Sequence, residues 1–210
     1  MGGEALLPLT GVILAGGRAE RMDGRDKGLL PLAGEPLVAH VIRRLRGQVQ
    51  EVVISANRHL ESYRRFGCRV VQDSDGERYQ GPLAGMLAAM RAAETPHVLT
   101  APCDSPSLPA DYARRMGEAL ARERASVAVA FFEGVWQPVF ALLPVGLQDE
   151  LAGALAAGER NVGRWLRRQG AVAASFSDRA ALFQNVNTPE ELSRLDAIWP
   201  RMGPTVLERG

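Results

Sequence analysis

Short runs of apolar, often β-branched residues alternate along this chain with longer stretches whose apolar residues recur every three or four positions. GVILA (Gly11 to Ala15) is an apolar run closed by Gly16-Gly17, the pattern of a buried strand ending in a turn. From Pro36 to Leu45, residues Leu37, Val38, Val41, Ile42 and Leu45 fall on one helical stripe. EVVIS (Glu51 to Ser55) and the stretch Arg69 to Val71 predict two more strands, separated by a helix-like linker. PLAGMLAAMRAAE starts a helix at Pro82, where the missing N–H removes no helical bond. HVLTA (His97 to Ala101) predicts a fourth strand, running into Pro102-Cys103-Asp104. This alternation predicts an α/β fold of three layers: a mostly parallel central sheet with helices on both faces.

The second half is less regular. Pro109 to Arg122 predicts a helix. Ser126 to Phe132 and Val135 to Leu143 predict an antiparallel strand pair around Glu133-Gly134. Helices are expected over Pro144–Ala157 and Val162–Arg168, and a strand over Ala171–Phe176. Thr188-Pro189-Glu190-Glu191 opens a last helix with a Thr cap and acidic residues in its first turn. A chain of 210 residues suits one large domain, and no repeat or long linker divides it. Residues 11–199 are therefore expected to form a single domain, with flexible ends over 1–10 and 200–210.

Composition narrows the function. The net charge of +1 argues against a protein that coats nucleic acid, while a local basic pocket for a phosphorylated ligand stays open. Cys68 and Cys103 fit no metal spacing and read as buried thiols. His40, His59 and His97 form no zinc-binding pair. No run approaches the roughly 18 apolar residues of a membrane span. The apolar stretch from Ala5 to Ala15 lacks a basic leader, so it does not read as a signal peptide. A cytoplasmic location is expected.

Ligands of open α/β sheets bind beyond the carboxyl ends of the strands. The loop after the first strand reads LAGGRAERMDGRDKGLL. Gly16 and Gly17 let backbone N–H groups approach a ligand, and Arg21 and Lys27 add charge, which together describe a phosphate cradle. It is neither GxxxxGK[ST] nor GxGxxG, which removes the dehydrogenase reading. Lys27 is the one lysine among 25 basic residues.

This opening resembles that of the Rossmann-like nucleotidyltransferases. LAGG followed by RM and DK is similar to the molybdenum cofactor guanylyltransferases, the molybdopterin-guanine-dinucleotide synthesis proteins. Cytidylyl-transferring relatives more typically read LAAG. VVISANRH, VVQDS, GPLAGMLAAM, PCDSP, LAAGERNV and FQNVNTPEEL continue the resemblance in order, from about Gly11 to Leu195. It implies transfer of GMP from GTP to the terminal phosphate of molybdenum-molybdopterin, with Mg²⁺ as cofactor and pyrophosphate as product. Residues 11–108 would bind GTP and residues 109–199 the pterin. Molybdopterin-loading proteins and molybdoenzyme chaperones are the implied protein partners.

The resemblance also assigns roles. Lys27 would neutralise the triphosphate as a compact point charge, Arg21 would grip the leaving pyrophosphate, and Asp104 would hold the metal. Leu14, Ala15, Gly16 and Gly17 would approach the nucleotide through backbone. Ser55, Asp73 and Gly81-Pro82-Leu83 would complete its pocket. Asn185 and Asn187 would face the metal or the pterin, and Arg160 and Asn161 would lie on the pterin side. Two departures stand out: Ser55 occupies a place where Asn is expected, and Pro102-Cys103-Asp104 lacks the first carboxylate of a DxD pair. Each residue also has a plain structural reading: a solvated loop Lys, a turn Asp at 73 or 104, a helix start at 81–83, and turn residues before the Thr188 cap. Trp136, Trp165 and Trp199 read as core or interface. Two rival functions stay open: a cytidylyl or sugar-phosphate nucleotidyltransferase, and a catalytically weak molybdopterin carrier.

Overall fold

Residues 7–16, 26–74, 81–178 and 185–199 of this computed structural model are described. The strands are β1 (Leu9–Leu14), β2 (Pro31–Leu32), β3 (Glu35–Pro36), β4 (Glu51–Ser55), β5 (Arg69–Val71), β6 (His97–Pro102), β7 (Ala128–Phe132), β8 (Val135–Pro144) and β9 (Val172–Ser175). The helices are α1 (Leu37–Arg46), α2 (Leu60–Arg64), α3 (Pro82–Ala92), α4 (Tyr112–Glu123), α5 (Gln148–Ala156), α6 (Val162–Arg168) and α7 (Pro189–Ile198). Seven strands form one sheet in the order β5-β4-β1-β6-β8-β7-β9. All run parallel except β8, which is antiparallel to β6 and β7. The mostly parallel α/β architecture and the antiparallel element in the second half agree with the sequence pattern.

Alternation along the strands sends side chains to two faces. Ile13, Ile54 and Leu99 pack with the apolar stripes of α1 and α4 on one side. Val12, Val98 and Val129 pack with α3, α5 and α6 on the other. A third, smaller cluster joins Leu30, Leu32 and Leu37 to Val186 and Leu195, and so ties α7 to the β2–β3 hairpin.

Three features depart from the expected pattern. First, β1 begins at Leu9, so residues 9 and 10 are not part of a flexible end. Leu9 and Thr10 pair with His97 and Val98, and the Thr10 hydroxyl donates to Glu51 Oε1 at 2.9 Å. Second, the linker before β5 holds the five-residue helix α2, entered through His59 at φ 50°. Third, a β2–β3 hairpin stands between the loop after β1 and helix α1. Its turn, Ala33-Gly34, has φ of 51° and 83°, the left-handed pair that a tight hairpin requires. Ala33 is a poor signal for such a turn. The expected tail at 200–210 lies outside the described residues.

Candidate active site

The site lies where β1 and β6 end side by side. Here the chain from β1 leads toward β4 and the chain from β6 leads toward the other half of the sheet, the switch point at which open α/β sheets form a crevice. Ala15 N donates to Ser55 O at 2.8 Å, and Cys103 N donates to Leu14 O at 3.1 Å, so the strand ends are level. β8 stays paired with β6 only as far as Leu99. Beyond that the Thr100 side chain replaces the ladder: it donates to Val139 O (2.7 Å) and accepts from Ala141 N (3.1 Å). The buried Tyr112 hydroxyl donates to Thr100 O at 2.8 Å. The strands thus part without stranding these backbone groups.

Lys27 starts a 3₁₀ turn (Lys27–Leu29) in the loop after β1. Its Nζ donates to Asn187 Oδ1 at 2.9 Å and lies 3.3 Å from Asp104 Oδ2. Three distant stretches of chain meet at this ammonium. The loop after β6 supplies Asp104, and the segment before α7 supplies Asn187. Val186 N donates to Asp104 O at 2.9 Å, while the Val186 side chain is buried in the third cluster. Asn185 and Asn187 therefore flank an anchored residue. The Ser105 hydroxyl is hydrogen-bonded to Asn185 Oδ1, and Asn187 N donates to Glu191 Oε2 at 2.6 Å.

Burial pushes the Asp104 carboxyl above its ordinary range, and the nearby Lys27 charge only partly offsets this. Asp104 Oδ1 is buried and accepts no hydrogen bond among the described residues. An unpartnered buried carboxylate oxygen fits a cation. The described residues contain no cluster of three metal-ligating side chains. Asp104 Oδ1 is thus an oxygen donor of the kind a hard divalent cation takes.

On the β4 side, Asn57 Nδ2 donates to Asp73 Oδ2 at 2.7 Å, and Asp73 N donates back to Asn57 Oδ1 at 3.1 Å. A Cβ at Gly16 would lie 3.3 Å from Asn57 Nδ2, so the glycine keeps this wall open. Ser55 is buried, and its hydroxyl points at α3, only 2.7 Å from where a Cβ on Gly85 would sit. Gly81 caps α3 at φ 87° and, with Pro82, is exposed. The Leu83 side chain is in the core, so only its backbone can face a ligand.

A profile of the MobA-like NTP transferase domain matches residues 11–173. The chain belongs to that family. It is 51% identical over 196 residues to a molybdenum cofactor guanylyltransferase of Burkholderia vietnamiensis, covering 89% of this chain and 95% of that one. It is 44% identical over 189 residues to one of Shewanella sediminis, covering 90% and 96%. Among solved structures it resembles molybdopterin-guanine dinucleotide biosynthesis protein A of Archaeoglobus fulgidus. The TM-score is 0.76 at 22% identity, over 92% of this chain and 100% of that one. It also resembles Rv0371C of Mycobacterium tuberculosis in complex with manganese, with a TM-score of 0.66 at 17% identity over 90% and 98%.

In this MobA-like chain the remaining candidates, Arg160 and Asn161, lie between α5 and α6. Asn161 caps α6, its Oδ1 accepting Arg164 N at 2.8 Å. The Arg160 guanidinium donates to Leu155 O (2.9 Å) and Glu159 O (2.6 Å). Both backbone N–H groups donate to Glu159 Oε1 at 2.9 and 2.8 Å. Arg164 and Arg168 also hold the Glu159 carboxylate, and these bonds bring its pKa far below the usual range. The helix that follows lies against the first part of β8, since a Cβ on Gly163 would lie 3.4 Å from Pro138. Gly17 and Arg21 fall outside the described residues. Ser105 and Glu191 were not singled out from sequence. Ser105 gave no signal beyond adjacency to Asp104, and Glu191 read only as a helix-start residue. No described helix is long and apolar enough to cross a membrane.

Proposed function

We infer that this chain transfers GMP from GTP to the terminal phosphate of molybdenum-loaded molybdopterin. The observation that carries this reading is the Lys27–Asp104–Asn187 meeting point at a strand switch, in a chain 44% to 51% identical to molybdenum cofactor guanylyltransferases. In the reaction a pterin phosphate oxygen bonds to the α-phosphorus of GTP, the bond to the bridging oxygen breaks, and pyrophosphate leaves. This chemistry needs neutralised charge and alignment more than a general acid or base.

The Lys27 ammonium turns from its two oxygen partners to the phosphate oxygens as the triphosphate enters. Asp104 would hold the divalent cation, Mg²⁺ in this reading, which would supply charge neutralisation when bound. In this reading residues 14–17, Asp73 and the start of α3 serve the nucleotide, and Arg21, like Gly17 outside the described residues, takes the leaving pyrophosphate. Ser55 supports this wall from behind through α3. Asn185 and Asn187, with the loop of Arg160 and Asn161, form the pterin side. Residues 11–108 serve the nucleotide and 109–199 the pterin.

The test is pyrophosphate release with Mg²⁺ and molybdenum-loaded molybdopterin, offering GTP, ATP, CTP and UTP in turn. Release with GTP alone is expected. Release with CTP would move the chain to the cytidylyl branch. Pterin binding without release from any nucleotide would make it a carrier.

A further inference from the structure

Lys27 makes its contacts from the first position of a three-residue turn, which is too short to hold itself in place. Its geometry comes from Asp26. Asp26 Oδ1 accepts Gly28 N at 3.2 Å and, at 2.5 Å, the hydroxyl of Tyr63. Tyr63 belongs to α2, is fully buried, and has its ring in the core shared with α1, α4 and the sheet. Cys103 packs at the same glycine. A Cβ on Gly28 would lie 2.6 Å from the Tyr63 oxygen and 3.2 Å from both Cys103 Cβ and Sγ. The turn is therefore packed tightly against a core tyrosine and the residue that precedes Asp104.

We propose that Tyr63 is a positioning residue for nucleotidyl transfer: through Asp26 it fixes the turn that carries Lys27 relative to Asp104. The proposal rests on the transfer reading above. It explains three features of the sequence together. An acceptor must precede Lys27, to take two donors at once. The residue after it must be glycine, because this packing leaves no room for a Cβ. The short α2 must end with its aromatic ring pinned in the core, so that the hydroxyl meets Asp26 at a fixed height. Tyr63 touches no reacting atom in this scheme. It acts by removing freedom from the ammonium, and a displacement of about 1 Å at such a group can cost up to about 100-fold in rate.

The single lysine makes a direct test possible. Reductive methylation with ¹³C-formaldehyde keeps the charge and gives one lysine dimethylamine NMR signal, separate from that of the N-terminus. In the Tyr63→Phe variant the ring still fills the core. The Lys27 signal is expected to move toward the position of a free dimethyl-lysine, and kcat for pyrophosphate release to fall about tenfold. Tyr63→Phe added to Lys27→Ala is expected to cost no further activity. Asp26→Asn keeps the accepting oxygen and is expected to retain more activity than Asp26→Ala. An unmoved Lys27 signal in Tyr63→Phe would overturn the proposal, whether or not activity or melting temperature changed. An equal loss with and without Lys27 would also overturn it. If the wild type released no pyrophosphate while the Lys27 signal moved in Tyr63→Phe, the positioning of Lys27 would stand and the transfer reading would fall.

Discussion

Lys27 and Asn187 are 160 positions apart in the chain, and the ammonium of one donates to the side-chain oxygen of the other at 2.9 Å. With Asp104 Oδ2 at 3.3 Å, the charge is held by two oxygens from distant segments. A guanidinium is broad and planar and would displace one of them. Lys27→Arg and Asp104→Ala are each expected to lower kcat/KM for GTP-dependent pyrophosphate release by about 100- to 1,000-fold, the usual cost of removing a charge-stabilising group from the transition state. Circular dichroism should report an unchanged fold. Full activity in both variants would remove these residues from the catalytic centre.

Asp104 also sets a pH dependence. Its ordinary pKa of 3.8 is raised in the folded chain, mainly by burial, so the folded state holds this proton more tightly than the unfolded state does. Asp104 thus contributes stability below about pH 3.8, and that contribution is lost as pH rises through its folded-state pKa. Above that range the folded state therefore bears the cost of this buried carboxyl. Asp104→Asn is therefore expected to raise the melting temperature at pH 7, with the gain closing as the pH approaches 4. Added Mg²⁺ should raise the melting temperature of the wild type and not of the variant. A variant that melts lower at pH 7 would contradict this account.

Much of this was legible before any coordinates. The periodicity of Leu37 to Leu45, the run EVVIS and the start at Pro82 are local signals, and the elements formed there. Lys27 could be named from the charged loop after β1, and Asp104 through the family resemblance of PCDSP. What pairs with them could not. Asn187 reaches Lys27 only because Val186 and Leu195 bury against the β2–β3 hairpin, and that hairpin hides behind an unusual Ala33-Gly34 turn. Ser55 looked like a departure within the pocket. In the structure its side chain faces α3, where the opposing Gly85 decides what fits. Leu83 can serve only through its backbone, since burial takes its side chain into the core. Such placements arise from packing between distant segments, which no local pattern encodes.

The Ser55–Gly85 approach can be tested by crowding it. A Cβ at Gly85 would meet Ser55 Oγ at 2.7 Å and Leu14 Cδ2 at 3.2 Å. Overpacking of this kind costs about 1–3 kcal/mol, even though alanine favours the helix more than glycine does. Gly85→Ala is expected to be destabilised in denaturant unfolding, and Ser55→Ala in the same chain to restore most of the loss by removing the clashing oxygen. Stabilisation by Gly85→Ala alone would show that the contact yields easily.

The last helix holds the site from outside. Thr188 Oγ1 accepts Glu191 N at 3.2 Å, and Glu191 Oε2 accepts both Thr188 N (3.2 Å) and Asn187 N (2.6 Å). The capping box therefore extends one residue back and fixes the backbone of Asn187 as well as the helix start. Thr188→Ala is expected to cost about 1 kcal/mol, a fall in melting temperature of roughly 2–4 °C for a chain of this size. Glu191→Ala removes the acceptor of Asn187 N as well. It is therefore expected to lower activity further than Thr188→Ala at a similar loss of stability. Calorimetry beside pyrophosphate-release kinetics separates the two effects. Equal kinetic losses in both variants would mean that the helix cap, and not the Glu191–Asn187 bond, orients Asn187 toward Lys27.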